Sequence, residues 1–365
     1  MSFAEIVIYL LSGFSIFVFV ALLCIDIFGI RRKQGDDTRS TGYDPKVLVI
    51  VPCRGMDLTL EKNLNSLNYQ KYKNYKLVAV VDDKNDAALR IIRKLHIHHL
   101  ISSPLYKNCS GKVCAISTAL EKFRDYDAYV IADSDILVDN GWLAALIAPL
   151  YDKHTGLSTM YPYFMPLSGF WSKVKMIWGF VGDSLLERES SRFGWGGSLA
   201  FRKDLMDKKA MDFLRNSKFS VSDDICITKI AKSKKLRIAY VPEPKPVVNC
   251  NDSFTTFTEW ANRQTALTLL GYRKNLYFGL AYYTAEAWII ISGILLSVFI
   301  SPLFLVFFVH YIKNVAMVYS RSRSHYWEIP LIAAMLPFIY DINLIMASRM
   351  KNITWRGRRY KLDNA

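Results

Sequence analysis

Asp133-Ser134-Asp135 closes the apolar stretch Ala128–Ala132. Two carboxylates two residues apart at a strand end can share a hard divalent cation, Mn2+ or Mg2+. Such a cation would neutralise a diphosphate leaving group. An isolated D-x-D is usually a solvated turn, but a second acidic strand end lies upstream, Asp82-Asp83 after Leu77–Val81. Asp82 can accept from a nucleobase N–H or a ribose hydroxyl; Asp83 serves equally well as a turn or helix-cap aspartate. Lys112 follows Gly111 at a predicted helix start, where a lysine and free backbone N–H groups can take a phosphate.

Ser222-Asp223-Asp224 precedes a helix predicted over Ile225–Lys232. Asp224 is the candidate general base, because a carboxylate beside an acceptor hydroxyl takes its proton as the new bond forms. The plainer reading is a pair of capping residues that complements the helix dipole, and a cap at Ser222 is compatible with catalysis at Asp224. In Gly194-Trp195-Gly196-Gly197-Ser198 the glycines let backbone approach a sugar or phosphate closely, or simply make a turn. Trp260, Arg263 and Gln264 open a helical stretch; Arg263 can grip a diphosphate, and Trp260 can stack on a ring or anchor at a membrane interface. Trp171, Trp178 and Phe180 flank Lys173 and Lys175, an amphipathic aromatic stretch suited to a membrane surface or to a core. His96, His98 and His99 straddle a helix–strand junction, a poor spacing for zinc.

The elements that must hold these groups form an α/β pattern. Strands are predicted at Lys46–Pro52, Leu77–Val81, His99–Ser102 and Ala128–Ala132. Helices are predicted at Leu60–Leu67, Asp86–Leu95 and Lys112–Phe123. That alternation implies a mostly parallel, Rossmann-like sheet with right-handed crossovers. Ligands of such sheets sit beyond the carboxyl ends of the strands, where both acidic clusters fall.

Around this domain lie apolar runs. Ile6–Ile25 carries no charge and is long enough to cross a bilayer. Arg31-Arg32-Lys33 follow at once, which puts this end in the cytoplasm and the N-terminus outside. A second block runs over 276–309, divided at Ser301-Pro302, and a third over 329–348; Arg349 and Lys351 then begin a basic tail. A cytoplasmic tail with the N-terminus outside requires an odd number of crossings, so one C-terminal segment is expected to be interfacial or re-entrant. The organisation expected is an N-terminal membrane helix (1–30), a linker (31–44), a cytoplasmic catalytic domain (45–275), membrane or interfacial helices (276–348) and a basic cytoplasmic tail (349–365). The net charge of +15 suits phosphate-bearing partners of any kind, and the membrane runs argue against nucleic acid. Six irregularly spaced cysteines do not make a disulfide framework and fit a reducing compartment.

Together these residues resemble an inverting GT-A glycosyltransferase of the family 2 and family 21 type, most closely the ceramide glucosyltransferases. The likeness covers nearly the whole chain. It runs through Gly55-Met56-Asp57 with Asn63-Leu64, Val81-Asp82, Ile131 to Asp135, Ser222-Asp223-Asp224, the surroundings of Arg263, and the tail Ile353 to Tyr360. The resemblance implies that Asp82 holds uridine, that Asp133 and Asp135 hold the metal, and that Asp224 is the base. Arg263 matches the arginine of a (Q/R)xxRW motif, from which this chain departs with Trp260 and Gln264. Lys112, Gly196 and Gly197 are further donor-site candidates. Trp195, Asp223, Trp260, Gln264, Trp355 and Arg356 are candidate contacts to acceptor or diphosphate. Asp135 stands where ceramide enzymes often lack an acid, which leaves the acceptor lipid open between a ceramide-like one and another. The activity implied is inverting, metal-dependent transfer of a hexose, glucose first, from a UDP-sugar to a hydroxyl of a membrane lipid at the bilayer. The alternatives are a polyprenyl-phosphate sugar synthase, a polysaccharide synthase and an inactive membrane scaffold.

Overall fold

A computed structural model describes residues 2–29, 42–103 and 108–362. The chain divides into two compact units, each built from segments distant in sequence. Most of the expected linker at 31–44 lies outside the described residues.

The first helix, α1 (Phe3–Gly29), belongs to a helical unit described below. The α/β unit follows. Its strands are β1 (Val47–Cys53), β2 (Tyr75–Val81), β3 (His98–Ile101), β4 (Ala128–Ala132), β5 (Ile136–Leu137), β6 (Thr155–Thr159), β7 (Tyr163–Pro166), β8 (Ser198–Arg202), β9 (Arg237–Tyr240) and β10 (Val247–Cys250). Its helices are α2 (Leu60–Asn68), α3 (Leu89–Lys94), α4 (Gly111–Lys122), α5 (Trp142–Ile147), part of α6 (Phe170–Leu186), α7 (Lys208–Asn216) and α8 (Asp223–Ser233). Seven strands make one sheet in the order β3-β2-β1-β4-β8-β6-β9. Strands β3, β2, β1 and β4 run parallel, and β8 is antiparallel to β4 and β6. β1 and β4 are apolar almost throughout because helices cover both faces of a parallel sheet. The core formed by Leu48, Ile50, Val78, Val80 and Ile131 against Val113, Ile116 and Ile227 fixes the strand ends. A small sheet, β5-β10-β7, lies beside it.

Helix α3 is shorter than the predicted Asp86–Leu95. Asp86 accepts from the N–H groups of Gly55 (3.0 Å) and Ala88 (2.9 Å), so it organises a turn instead of joining the helix. Asp83 makes a comparable turn by accepting from the Asn85 N–H at 2.7 Å.

The helical unit comprises α1, the Lys173–Phe180 part of α6, α9 (Phe254–Gly271), α10 (Lys274–Phe299), α11 (Phe308–Arg321, preceded by a 3₁₀ turn over Pro302–Phe307) and α12 (Ile329–Ser348). Among the described residues four stretches are long and apolar enough to cross a membrane: Glu5–Asp26, Lys274–Phe299, Pro302–Arg321 and Ile329–Ser348. Their exposed side chains include Phe17, Val298, Phe299 and Leu303, a surface suited to lipid. The second apolar block does divide at Ser301, but its second half continues to Arg321, past the expected limit of 309. His310 and Lys313 make that half look polar in sequence; in the fold Asp26 and Glu286 answer their charge. Trp178 is buried, 5.0 Å from Trp260 and 5.7 Å from Tyr340, and Lys175 pairs with Asp252 at 3.2 Å. This part of the aromatic stretch is therefore core, not membrane surface.

Residues 351–362 do not trail away. They form a hairpin, β11 (Asn352–Trp355) and β12 (Arg358–Lys361), which belongs to the α/β unit.

Candidate active site

Three parallel strands deliver Arg54, Asp82 and Asp133 to one edge of the sheet, directly after β1, β2 and β4. Helix α4 points its N-terminus at the same edge. Ser110 caps it by accepting from the Val113 N–H at 3.2 Å.

Lys112, in the first turn of α4, is the centre of the charge cluster. Its ammonium lies 2.7 Å from Asp133 Oδ1 and 3.2 Å from Asp223 Oδ2, and donates to the Gly196 carbonyl at 3.1 Å. Burial alone would lower the Lys112 pKa, but Asp133 and Asp223 outweigh it and hold the lysine raised. Burial raises both aspartates, and Lys112 opposes that rise. The lysine expected to meet phosphate is thus paired with two carboxylates of the same site. Gly196 is required by this packing: a Cβ there would collide with Asp223 and lie 3.0 Å from Lys112 Nζ. A Cβ at Gly197 would strike the Trp195 ring, and the Gly197 carbonyl accepts from the Asp133 N–H at 3.1 Å.

Asp224 stands one residue beyond Asp223, half-buried, in the first turn of α8. The helix begins two residues earlier than predicted because Ser222 caps it. One carboxylate oxygen of Asp224 accepts from the Ser222 hydroxyl and from the Ile225 N–H at 2.9 Å. Both donors fall on Oδ1, so the group is oriented while Oδ2 is left to other partners.

Asp135 is different. Its Oδ1 is buried without a hydrogen-bond partner, and burial, followed by repulsion from Asp133 and Asp57, pushes its pKa up to about 7. The Asp133–Asp135 turn is held from outside. Ser134 donates to Asp57 Oδ2 at 2.5 Å, and Asn63 donates to the Ser134 carbonyl at 3.0 Å.

Asp82 accepts from Arg54 at 2.6 Å and lies 3.4 Å from Arg358 of the hairpin. Arg356 pairs with Asp57 and donates to the Arg54 carbonyl at 3.2 Å. Sequence reasoning carried Arg356 and Trp355 but did not assign Arg54, Asp57, Arg358 or Tyr360 to the site. Arg54 was detectable as the polar residue at a parallel strand end, whereas the hairpin contacts span 249 to 302 positions and leave no local pattern.

The α/β unit thus brings Asp82, Lys112, Asp133, Asp135, Trp195, Gly196, Gly197, Asp223, Asp224, Trp355 and Arg356 into one unit. Trp260, Arg263 and Gln264 lie on α9 in the helical unit, where Trp260 packs on Trp178 and Lys175.

A family model described as glycosyl transferase family 21 matches residues 13–365. The chain belongs to that family. It is a glycosyltransferase, and its fold is GT-A with added apolar helices. A similar solved structure is the mannosyltransferase PcManGT from Pyrobaculum calidifontis, in complex with GDP-Man and Mn2+. The two are 17% identical, with 93% of this chain and 96% of that one covered and a TM-score of 0.57. Glucosyl-3-phosphoglycerate synthase from Mycobacterium tuberculosis is also similar, at 14% identity over 62% of this chain and 79% of that one, with a TM-score of 0.44.

The donor set of this family 21 glycosyltransferase suits a divalent metal. Asp135 offers a buried oxygen with no partner, and an acidic oxygen in that state is stabilised by a cation. Among the described residues no group of three or more His, Cys, Asp or Glu could hold a metal. Two carboxylates would therefore supply part of a shell completed by ligand oxygens and water, as is usual for Mg2+.

Proposed function

We propose that this glycosyltransferase works at a membrane, moving a hexose from a nucleoside-diphosphate sugar, UDP-glucose first, to a hydroxyl of a membrane lipid with inversion at the anomeric carbon. The observation that carries the reading is the Lys112-bridged pair Asp133 and Asp223, with Asp224 beside it at a helix N-terminus. The four long apolar helices support the lipid acceptor, and the catalytic unit is read as cytoplasmic from the basic residues after α1.

In this reading Asp82 binds the nucleoside, and Asp133 and Asp135 hold Mn2+ or Mg2+. The metal, when bound, offsets negative charge gathering on the leaving diphosphate. Asp224 Oδ2 takes the proton of the acceptor hydroxyl, while Ser222 and the Ile225 N–H keep the carboxylate turned towards it. The acceptor oxygen forms its bond to the anomeric carbon as the bond to the diphosphate breaks, and that electron pair leaves with the nucleotide. Lys112 favours the charged forms of Asp133 and Asp223 against the effect of burial, which helps preserve the site's shape for the donor. Arg263 is proposed to contact the diphosphate.

The test uses the purified full chain in detergent with Mn2+ or Mg2+, UDP-glucose, other UDP-hexoses and GDP-mannose, and total lipid extract. Nucleotide release and mass spectrometry of new glycolipid are the readouts. Asp224→Asn is expected to remove transfer and keep nucleotide binding; transfer at the normal rate would refute the base. A product carrying sugar on a phosphate instead of a hydroxyl would replace the lipid-hydroxyl reading with a polyprenyl-phosphate acceptor.

A further inference from the structure

The hairpin made by residues 352–361 holds four basic residues, Arg356, Arg358, Arg359 and Lys361, and no acidic one. Its pairing, Trp355 with Arg358 and Thr354 with Arg359, leaves a two-residue turn at Arg356-Gly357. Both turn residues have positive φ, 50° and 72°. Such a turn suits the twist of a hairpin, and its first position favours Asn, Asp or Gly. Arginine there carries a backbone cost with no conformational benefit, which points to use of its side chain.

Three contacts place this hairpin on the nucleotide end of the sheet. Arg356 pairs with Asp57, the residue that accepts from Ser134 in the Asp133–Asp135 turn. Arg358 faces Asp82 at 3.4 Å. The Tyr360 hydroxyl accepts from the Gly111 N–H at 3.2 Å, so the hairpin rests on the N-terminus of α4. The approach is tight: a Cβ on Gly111 would lie 2.5 Å from Arg358 Nη1 and 3.4 Å from Asp82 Oδ1.

The charge arrangement around Asp82 is uneven. Arg54, at 2.6 Å, already supplies a short charge-assisted bond. Arg358 is a second and more distant cation on the same carboxylate, and its side chain is 44% exposed. It can therefore turn to a stronger anion while Asp82 keeps Arg54. A diphosphate offers such an anion, with oxygens spaced for the guanidinium fork.

We propose that the C-terminal hairpin forms a wall of the donor site, with Arg358 and Arg356 binding the diphosphate of the sugar nucleotide. This rests on the nucleotide-donor reading above. In the free protein the two arginines are parked on Asp82 and Asp57. When donor enters, the nucleoside engages Asp82 and the guanidinium groups pass to the phosphate oxygens.

The experiment is calorimetric titration of the full chain in detergent with Mg2+, using UDP and GDP against uridine and guanosine, directly or by displacement. The quantity read is the affinity gained from the diphosphate, the ratio of the nucleoside Kd to the nucleoside-diphosphate Kd. Arg358→Ala is expected to reduce that ratio by about 10- to 100-fold, the usual scale for losing a charged hydrogen bond. Arg356→Asn, which suits the turn and keeps it folded, should reduce the ratio in the same direction. Arg359→Ala removes the same charge from the other face of β12 and should change it by less than about twofold. An unchanged ratio in both Arg358→Ala and Arg356→Asn overturns the inference but leaves the donor reading intact. So does an equal loss in Arg359→Ala, which would reduce the effect to net charge. Equal tightening of nucleoside and nucleoside diphosphate in Arg358→Ala would also overturn it, making the hairpin a plug on Asp82. A wild-type protein that binds neither UDP nor GDP overturns the donor reading and this inference together.

Discussion

Each unit buries a cluster of charged groups, and the two are balanced differently. In the helical unit His310 bridges Asp26 and Glu286 at 2.8 Å each, Lys313 reaches Asp26 at 2.5 Å, and Asn314 donates to Glu286 at 2.9 Å. Each of these groups has a partner from another helix or the next turn. In the α/β unit Lys112 pairs with Asp133 and Asp223, but Asp135 Oδ1 has none. The helical unit also holds unpaired acidic oxygens, Glu328 Oε2 and Asp341 Oδ1, but outside this cluster; in the α/β unit the unpaired oxygen lies in the charge cluster itself, where a ligand can complete it. The contrast predicts that the first cluster serves stability and the second serves binding.

The largest effect expected comes from Lys112→Met. It leaves Asp133 and Asp223 buried without their cation, and breaking a buried pair on one side costs about 3–5 kcal/mol. Nucleotide binding should be lost with it. The sign of the pH dependence is fixed by the aspartates. Their folded pKa values are already raised by burial, and removing Lys112 raises them further, so their protonated forms favour the folded state. The variant should melt well below wild type at pH 8, with the gap narrowing as pH falls towards 5. A gap that widens on acidification would contradict this account.

Next in size is a crossed pair of variants that tests the contrast directly. His310→Leu in the helical unit takes one partner from each of Asp26 and Glu286, leaving them Lys313 and Asn314, and should lower the melting temperature in detergent by several degrees. The affinity for nucleoside diphosphate should remain within about twofold, since a stability change in one unit need not reach a binding site in another. Asp135→Asn should do the reverse, keeping or raising the metal-free melting temperature and abolishing the increase that Mn2+ or Mg2+ gives. Were both variants to lose stability and both to keep metal dependence, the distinction between the two clusters would fail.

In the proposed metal site Asp135 would also set a pH limit on metal binding. With its pKa pushed up to about 7, the metal-free carboxyl is mostly protonated at pH 6, and a metal must displace that proton. Below the ordinary carboxylate range the raised group favours folding fully. That contribution is lost as pH rises through about 7, where the charged oxygen becomes costly unless a cation is present. Stabilisation by Mg2+ should therefore be small at pH 6 and larger at pH 8. Calorimetry at pH 6 in buffers of different ionisation enthalpy should register a proton released per metal bound, a signal absent in Asp135→Asn.

The sheet that carries this site was legible because buried parallel strands write themselves as continuous apolar runs; Ala128–Ala132 agrees residue for residue. The acidic strand ends were legible for the same reason, since a polar residue directly after such a run has one place to go. What failed to show was long-range or compensated. Asp86 has the composition of a helix start but spends its carboxylate on Gly55 and Ala88. The 302–321 segment conceals its apolar character behind His310 and Lys313, whose partners lie on other helices. The immediate partners of Lys112 are another long-range feature. Sequence shows a lysine at a helix start, which suits phosphate, but not the two carboxylates that the fold brings from β4 and α8.

The smallest effect separates a cap that only caps from one that also serves the candidate base. Asp207 caps α7 by accepting from the Ala210 N–H at 2.9 Å, and Ser222 caps α8 through the Ile225 N–H at 3.4 Å. Replacing either by alanine should cost about 1 kcal/mol of stability. Of the two caps, Ser222 alone also donates to the candidate base Asp224, occupying one of its carboxylate oxygens. Ser222→Ala should therefore lower kcat several-fold with little change in donor KM, while Asp207→Ala leaves both within error at a temperature where each variant is folded. Ser222→Thr keeps the hydroxyl and should recover most of the rate. If the alanine variants at the two caps match in kinetics as well as in stability, Ser222 has no part in orienting Asp224, and the carboxylate must be positioned by the Ile225 N–H and the helix terminus alone.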